Sequence, residues 1–308
     1  MKRLLYKAIL RASLFLMRAA NFLNPFKKAR HFVRDRVKRI ALTQYMRLAY
    51  LPRLRNMPRE RHGGGGRDTL WQMWAQGMEN APDIVKACVA SAERFRGRYR
   101  HIVLSASDAR KYAKLPAHVW KKYRAGKIGE AMFADMARLS LLSLHGGIWA
   151  DATCLFTAAV PEKIARAEFF MFRTDNRDKY AYSYIQNCFI AARRGNYLAS
   201  AWLYLLCEYW RHEDKPADYF LAHMMFRALV TYDERAKREW AEAIVLPQAP
   251  THAIFPHLAR PYDEAEFAKL KRASFFQKVA HSWRKIRPGK KAAPDGTLFE
   301  AIEKGAAK

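Results

Sequence analysis

The sequence predicts an α/β fold with a mixed, mainly parallel sheet flanked by helices, preceded by a basic helical extension. Three observations carry this. From Thr69 onward, short apolar strand-like runs alternate with amphipathic helical stretches, the pattern of a layered parallel sheet. The stretch Phe133 to Phe156 reads as helix, glycine turn, and strand ending at a carboxylate. Charge is unevenly divided: residues 1–67 hold 18 basic and 2 acidic side chains, more than half of the net +28.

In chain order, Arg3, Lys7, Arg11 and Arg18 fall within about a quarter of a helix circumference, with Leu5, Ile9, Ala12, Leu16 and Leu23 opposite. A basic amphipathic helix of this kind suits the surface of an anionic bilayer, and packing on the domain with a solvated basic face is the plainer alternative. Lysine and arginine interrupt every apolar run, and no small-residue cleavage site follows one, which argues against a secretion signal and a spanning helix. Asn24-Pro25 divides this helix from a second basic one over Lys27 to Leu51. Residues 1–62 therefore read as a membrane-surface segment. Gly63 to Gly66 forms a hinge within 63–67, residues 68–260 the core domain, and 261–308 a basic, partly ordered extension.

Within the core, the spacing predicts strands at Thr69 to Trp74, His101 to Leu104, Phe169 to Phe172 and Tyr184 to Ala192. Helices are predicted at Pro82 to Phe95, Tyr197 to Arg211, Ala217 to Thr231 and Asp233 to Ala243. A helix from about Glu130 to Leu144 places Asp135 and Arg138 one turn apart on one side. His145-Gly146-Gly147 ends it, because glycine accepts the left-handed backbone common at helix ends. Ile148 to Ala150 is then a strand, and Asp151 lies just past its carboxyl end, the rim where open α/β sheets bind ligands. Asp218 and His223 are five apart and do not share a helix face. Four scattered cysteines, with no C-x-x-C pair, argue against a zinc site and a disulfide framework and suit a reducing cytoplasm. The net charge raises nucleic-acid binding as a class. Concentration of the excess in amphipathic helices, without a zinc-finger or aromatic RNA-binding motif, argues against it.

The run Ala134-Asp135-x-x-Arg138 leading into Gly146-Gly147-Ile148-Trp149-Ala150-Asp151-Ala152-Thr153 resembles the core of DXD-type sugar transferases. It is most similar to bacterial capsular polysaccharide synthesis proteins, and Thr69 to Pro82 resembles their opening strand and turn. The resemblance implies a GT-A-like, Rossmann-related fold and a retaining transfer, by front-side attack, from a nucleotide-sugar donor. The acceptor would be a growing surface glycan or a lipid-linked glycan, at the inner face of the cytoplasmic membrane. It implies donor contacts from Asp135, Arg138, Gly146, Gly147 and Asp151, and an amide near the donor sugar from Asn187. Trp71, Gln72 and Trp74 stand where an aromatic would stack on the nucleotide base, with core packing as their alternative. Mn2+ or Mg2+ would be held by Asp151 and Thr153, the neutral threonine being a weaker ligand than the second carboxylate of the motif. That departure also makes a catalytically inactive assembly protein of the same fold the rival reading.

Overall fold

The computed structural model describes residues 2–23, 26–58, 68–175 and 183–305. The glycine hinge, His62 and the Asn24-Pro25 break lie outside the described residues. A six-stranded sheet has the order β2-β1-β3-β6-β5-β7. Its strands are β1 (Thr69–Met73), β2 (Arg100–Leu104), β3 (Gly147–Ala150), β5 (Phe169–Arg173), β6 (Ile185–Ala192) and β7 (Ile244–Pro247). β1 pairs in parallel with both β2 and β3, and β5 with β7. β6 alone runs against its neighbours β3 and β5. The mixed, mainly parallel α/β fold is therefore present. A second sheet of two short strands, β4 (Cys154–Phe156) and β8 (Phe276–Lys278), lies beyond the end of β3.

Alternation along the strands sends side chains to two cores. Trp71, Trp149, Met171 and Ile190 join one, under helices α6 (Glu130–His145), α8 (Tyr197–His212) and α9 (Leu221–Tyr232). Leu70, Ile148, Phe170 and Ala191 join the other, with Phe276 from β8. With both faces covered, strands such as Phe169–Arg173 read as continuous apolar runs rather than alternating ones. The remaining helices in chain order are α1 (Lys2–Leu23), α2 (Lys27–Ala49), α3 (Asp83–Phe95), α4 (Ala106–Tyr112), α5 (Ala117–Arg124), α7 (Glu162–Ala165), α10 (Glu234–Glu242), α11 (Glu264–Lys271), α12 (Trp283–Ile286) and α13 (Leu298–Glu303).

The expected helix at Ala217 starts later, at Leu221, because Asp218 Oδ1 accepts a hydrogen bond from the Phe220 N–H at 3.0 Å and holds a turn there. The segment after Pro261, expected as a partly ordered extension, packs on the core instead. Leu298, Phe299 and Ile302 share a buried cluster with Ile84, Val85 and Cys88 of α3.

α1 and α2 form a hairpin whose inner surface belongs to the main core through Leu10, Leu42, Tyr45, Met46 and Tyr50. The basic stripe of α1 is split by this packing. Arg3 and Lys7 turn inward and both pair with Glu213, whose side chain is 2% exposed. The Tyr45 and Tyr50 hydroxyls each donate to the same carboxylate at 3.3 Å. Leu5, Ile9, Phe15 and Leu16 face outward. The expected opposition of basic and apolar sides is thus real, but the apolar side is the exposed one. Removing the centre of a buried ionic network strands its partners in a poor dielectric. Glu213→Ala should therefore lower unfolding free energy by about 3 kcal/mol, measured by urea denaturation, and speed tryptic cleavage within α1.

Candidate active site

β1 leads to β2 on one side and neighbours β3 on the other, so the strand order reverses at the carboxyl ends of β1 and β3. Asp151 stands at that reversal, its N–H bonded to the Cys188 carbonyl at 2.7 Å. Trp149 and Asp151, two apart, project to the same face, and the Trp149 indole N–H donates to Asp151 Oδ1 at 3.0 Å. α6 crosses that face and brings Arg138. Arg138 Nη2 lies 3.2 Å from Asp151 Oδ1 and 3.2 Å from Asp135 Oδ1. The guanidinium carbon also sits 5.0 Å from the Trp149 ring centroid. On β6, the Asn187 side-chain amide donates to Asp135 Oδ1 at 2.8 Å, and its backbone carbonyl accepts from Arg138.

The glycine turn allows this approach. Gly146 and Gly147 have φ of 71° and 99°, and a Cβ on Gly147 would stand 2.3 Å from the Thr69 carbonyl oxygen. Both glycines thereby allow the tight turn that sets β3 against β1.

Sequence reasoning missed Lys278. The β4–β8 ladder pairs Cys154 with Lys278, and the Val279 N–H bonds the Thr153 carbonyl at 3.0 Å. Lys278 Nζ thereby lies 3.1 Å from Asp151 Oδ2 and donates to the Thr153 hydroxyl. The only local hint is the alternation of Phe276-Gln277-Lys278, too short to read as a strand. Trp149 fits the apolar strand pattern, and the polar role of its indole N–H emerges only with the Asp151 contact.

The other expected residues divide by burial. Trp71 packs in the core against Tyr112 and His145, with its indole N–H on the Gly146 carbonyl at 3.1 Å. Gln72 is fully buried and donates to the Asp151 carbonyl at 3.2 Å, while its own carbonyl meets His101 Nε2 at 2.8 Å. Both are thus buried beneath the Asp151 turn, which favours the core-packing alternative for Trp71. Trp74 lies past the end of β1 beside His281, ring centroids 6.1 Å apart, and its buried indole N–H has no hydrogen-bond partner. Asp218 pairs with Lys38 at 2.7 Å and so ties α9's leading turn to α2. His223 is buried, and its Nδ1 has no hydrogen-bond partner. Burial, with Arg138 nearby, pushes its pKa down to about 3, so the imidazole is neutral.

The cluster holds two carboxylates and two cations. Burial drives Asp135 upward, Arg138 opposes this and Asp151 adds to it, leaving a pKa of about 6. For Asp151, burial acts in the same direction, yet Lys278 and Arg138 together hold the carboxyl below its ordinary value. For Lys278, burial acts to lower the pKa, and Asp151 outweighs it, so the ammonium is held charged.

This donor set does not suit Mn2+ or Mg2+. Both Asp151 oxygens, Asp135 Oδ1 and the Thr153 hydroxyl already take protein N–H donors. A divalent ion would also sit between two cations, Arg138 and Lys278. Among the described residues no three His, Cys, Asp or Glu side chains gather as a metal-binding group.

Asp135 has a consequence for pH. In the folded chain it holds its proton up to about pH 6, whereas at its ordinary value of 3.8 the unfolded chain releases it. Its contribution to stability is therefore full below pH 3.8 and lost as pH rises through about 6. Asp135→Asn should remove that slope. The stability of the wild type relative to the variant should fall by roughly 3 kcal/mol between about pH 4 and pH 7, measured by urea unfolding across that range.

A family described as capsular polysaccharide synthesis protein matches residues 22–294. No curated protein matches the chain. Among solved structures, the PaToxG glycosyltransferase is similar with a TM-score of 0.39 and 13% identity, over 68% of this chain and 84% of that one. That likeness is too distant to carry an inference. The family match runs from the N-terminal hairpin through the Asp151 turn to the strand that bears Lys278, and the chain belongs to the capsular polysaccharide synthesis protein family.

Proposed function

We propose that the protein is a retaining glycosyltransferase of GT-A type. It moves a sugar from a nucleotide-sugar donor to a surface glycan or its lipid-linked precursor. The observation that carries this reading is Asp151, set at the strand-order reversal with its side chain 26% exposed and bracketed by Arg138 and Lys278. Membership of the capsular polysaccharide synthesis family supports it.

In the reaction, the bond between the anomeric carbon and the diphosphate oxygen breaks, and its electron pair passes to the diphosphate. The acceptor hydroxyl oxygen bonds the anomeric carbon from the same face, and its proton passes to the departing diphosphate. Asp151 presents its exposed edge to the donor's hydroxyls, while Asn187 and Arg138 keep Asp135 in place beside it. Preorganised charge of this kind acts most strongly on the transition state. Asp151→Asn should lower kcat by about 100-fold, read as nucleoside diphosphate released from a panel of sugar nucleotides. Full turnover by that variant would sink the assignment. If the wild type neither turns over nor binds any donor, the inactive assembly reading takes its place.

The same reading places the protein on an anionic membrane surface. The outward side of α1 carries Leu4, Leu5, Ile9, Phe15, Leu16 and Phe22, all more than half exposed, among exposed Lys2, Arg11 and Arg18. Apolar side chains with a cationic fringe fit the boundary between headgroups and acyl chains. No helix among the described residues is long and apolar enough to cross a membrane. Binding to phosphatidylglycerol-containing vesicles should weaken about tenfold or more when Phe15 and Leu16 are both changed to Ser, and should weaken further in high salt. Equal co-sedimentation of this variant and the wild type would remove the proposed face.

A further inference from the structure

We propose that Lys278 is the cation that receives the donor's diphosphate, so that this site works without a divalent ion. The inference rests on the glycosyltransferase reading and names the group that would do the metal's work. Four observations on the cluster lead to it.

Arg138, the cation expected from the helix motif, is committed to the protein. Its side chain is 5% exposed. Its Nε is bonded to the Ala134 carbonyl, one terminal nitrogen to the Asn187 carbonyl, and the other to both Asp135 and Asp151. Swinging it toward a ligand would strand two buried carboxylates. Arg138 is a positioning residue.

Lys278 is placed differently. Its side chain is 20% exposed, and of the three ammonium N–H groups two are taken, by Asp151 Oδ2 and the Thr153 hydroxyl. One donor is left, on a flexible stem, at the exposed edge of Asp151. Trp74 and His281 form a ring pair nearby, His281 being close enough to feel the Lys278 charge.

The charge balance favours an anion over a cation as the next occupant. Asp135 and Asp151 are offset by Arg138 and Lys278, so a divalent ion would bring two more positive charges to a neutral cluster. It would have to displace Lys278 from Asp151 and Thr153 to find oxygen ligands. A diphosphate needs only the free N–H, and gains the ammonium outright if Lys278 turns from Thr153. Thr153, the departure from the two-carboxylate motif, then has a physical reason. A neutral hydroxyl holds Lys278 without adding the negative charge that would keep it from a phosphate.

When the anomeric bond breaks, its electron pair settles on the terminal diphosphate oxygen, and the Lys278 ammonium, keeping its proton, offsets that charge. The test is binding of UDP, GDP, CDP and inorganic pyrophosphate by calorimetry on the full chain, in EDTA and in Mn2+. Wild type, Lys278→Met and Lys278→Arg are compared, with melting temperatures to confirm folding. We expect one nucleoside diphosphate to bind wild type in EDTA within about threefold of its affinity in Mn2+. Lys278→Met should lose more than tenfold, and Lys278→Arg should recover most of it. Wild-type binding that appears only with Mn2+, or a folded Lys278→Met that binds as tightly as wild type in EDTA, overturns the role of Lys278 and leaves the transferase reading standing. No binding of any nucleoside diphosphate in either condition overturns both. If Lys278→Met does not fold, Lys278→Gln takes its place, and a folded Lys278→Gln that binds as tightly as wild type in EDTA overturns the role of Lys278.

Discussion

Two carboxylates share one buried guanidinium: Arg138 Nη2 is 3.2 Å from both Asp135 and Asp151. Like charges so close cannot both stay ionised in a poor dielectric unless cations are placed with them. Much of the surrounding structure follows from that constraint. It requires α6 to lie across the β3 face at the height of Asp151, which in turn requires the glycine turn to bring β3 against the Thr69 backbone. It leaves Asp135 with a raised pKa and Asp151 with a depressed one, because Lys278 is within reach of only the second. One member of the pair is thus tuned to hold a proton under mildly acidic conditions and the other to remain charged.

Local pattern was enough to reveal the helix, the glycine turn, the strand and Asp151. Each depends on residues within a few positions of one another: apolar spacing in Phe133 to Leu144, the glycine pair Gly146-Gly147, and the apolar run Ile148 to Ala150. Lys278 could not be found that way. It meets Asp151 across 127 residues, through a strand of three residues whose alternation is too short to mark a strand. Trp71 and Gln72 show a different difficulty. A strand buried on both faces has no polar side, so its sequence does not show which of its residues lie beneath the surface of the site. The short strand Ile244–Pro247 carries no glycine turn or flanking motif of the kind that marks β3, and local pattern does not single it out.

The N-terminal hairpin shows how a correct pattern acquires its direction only from tertiary contact. The amphipathic division of α1 is plain in the sequence, but which side faces the protein is settled by Glu213, a residue just past α8. A buried carboxylate draws Arg3 and Lys7 inward, and the apolar side is left in water. Exposing Phe15, Leu16 and Phe22 together costs free energy in an isolated monomer. That cost is what a lipid surface would remove.

The β4–β8 ladder also orders events in time. As a chain is made, α1 leaves the ribosome long before Lys278, which follows Asp151 by 127 residues. Until β8 pairs with β4, Asp151 has no ammonium beside it, and until Glu213 is made the two cations of α1 have no buried partner. The outward side of α1 is therefore made long before the charge cluster, which closes only after β8 docks. The charge cluster around Asp151 is thus among the last features of the fold to form.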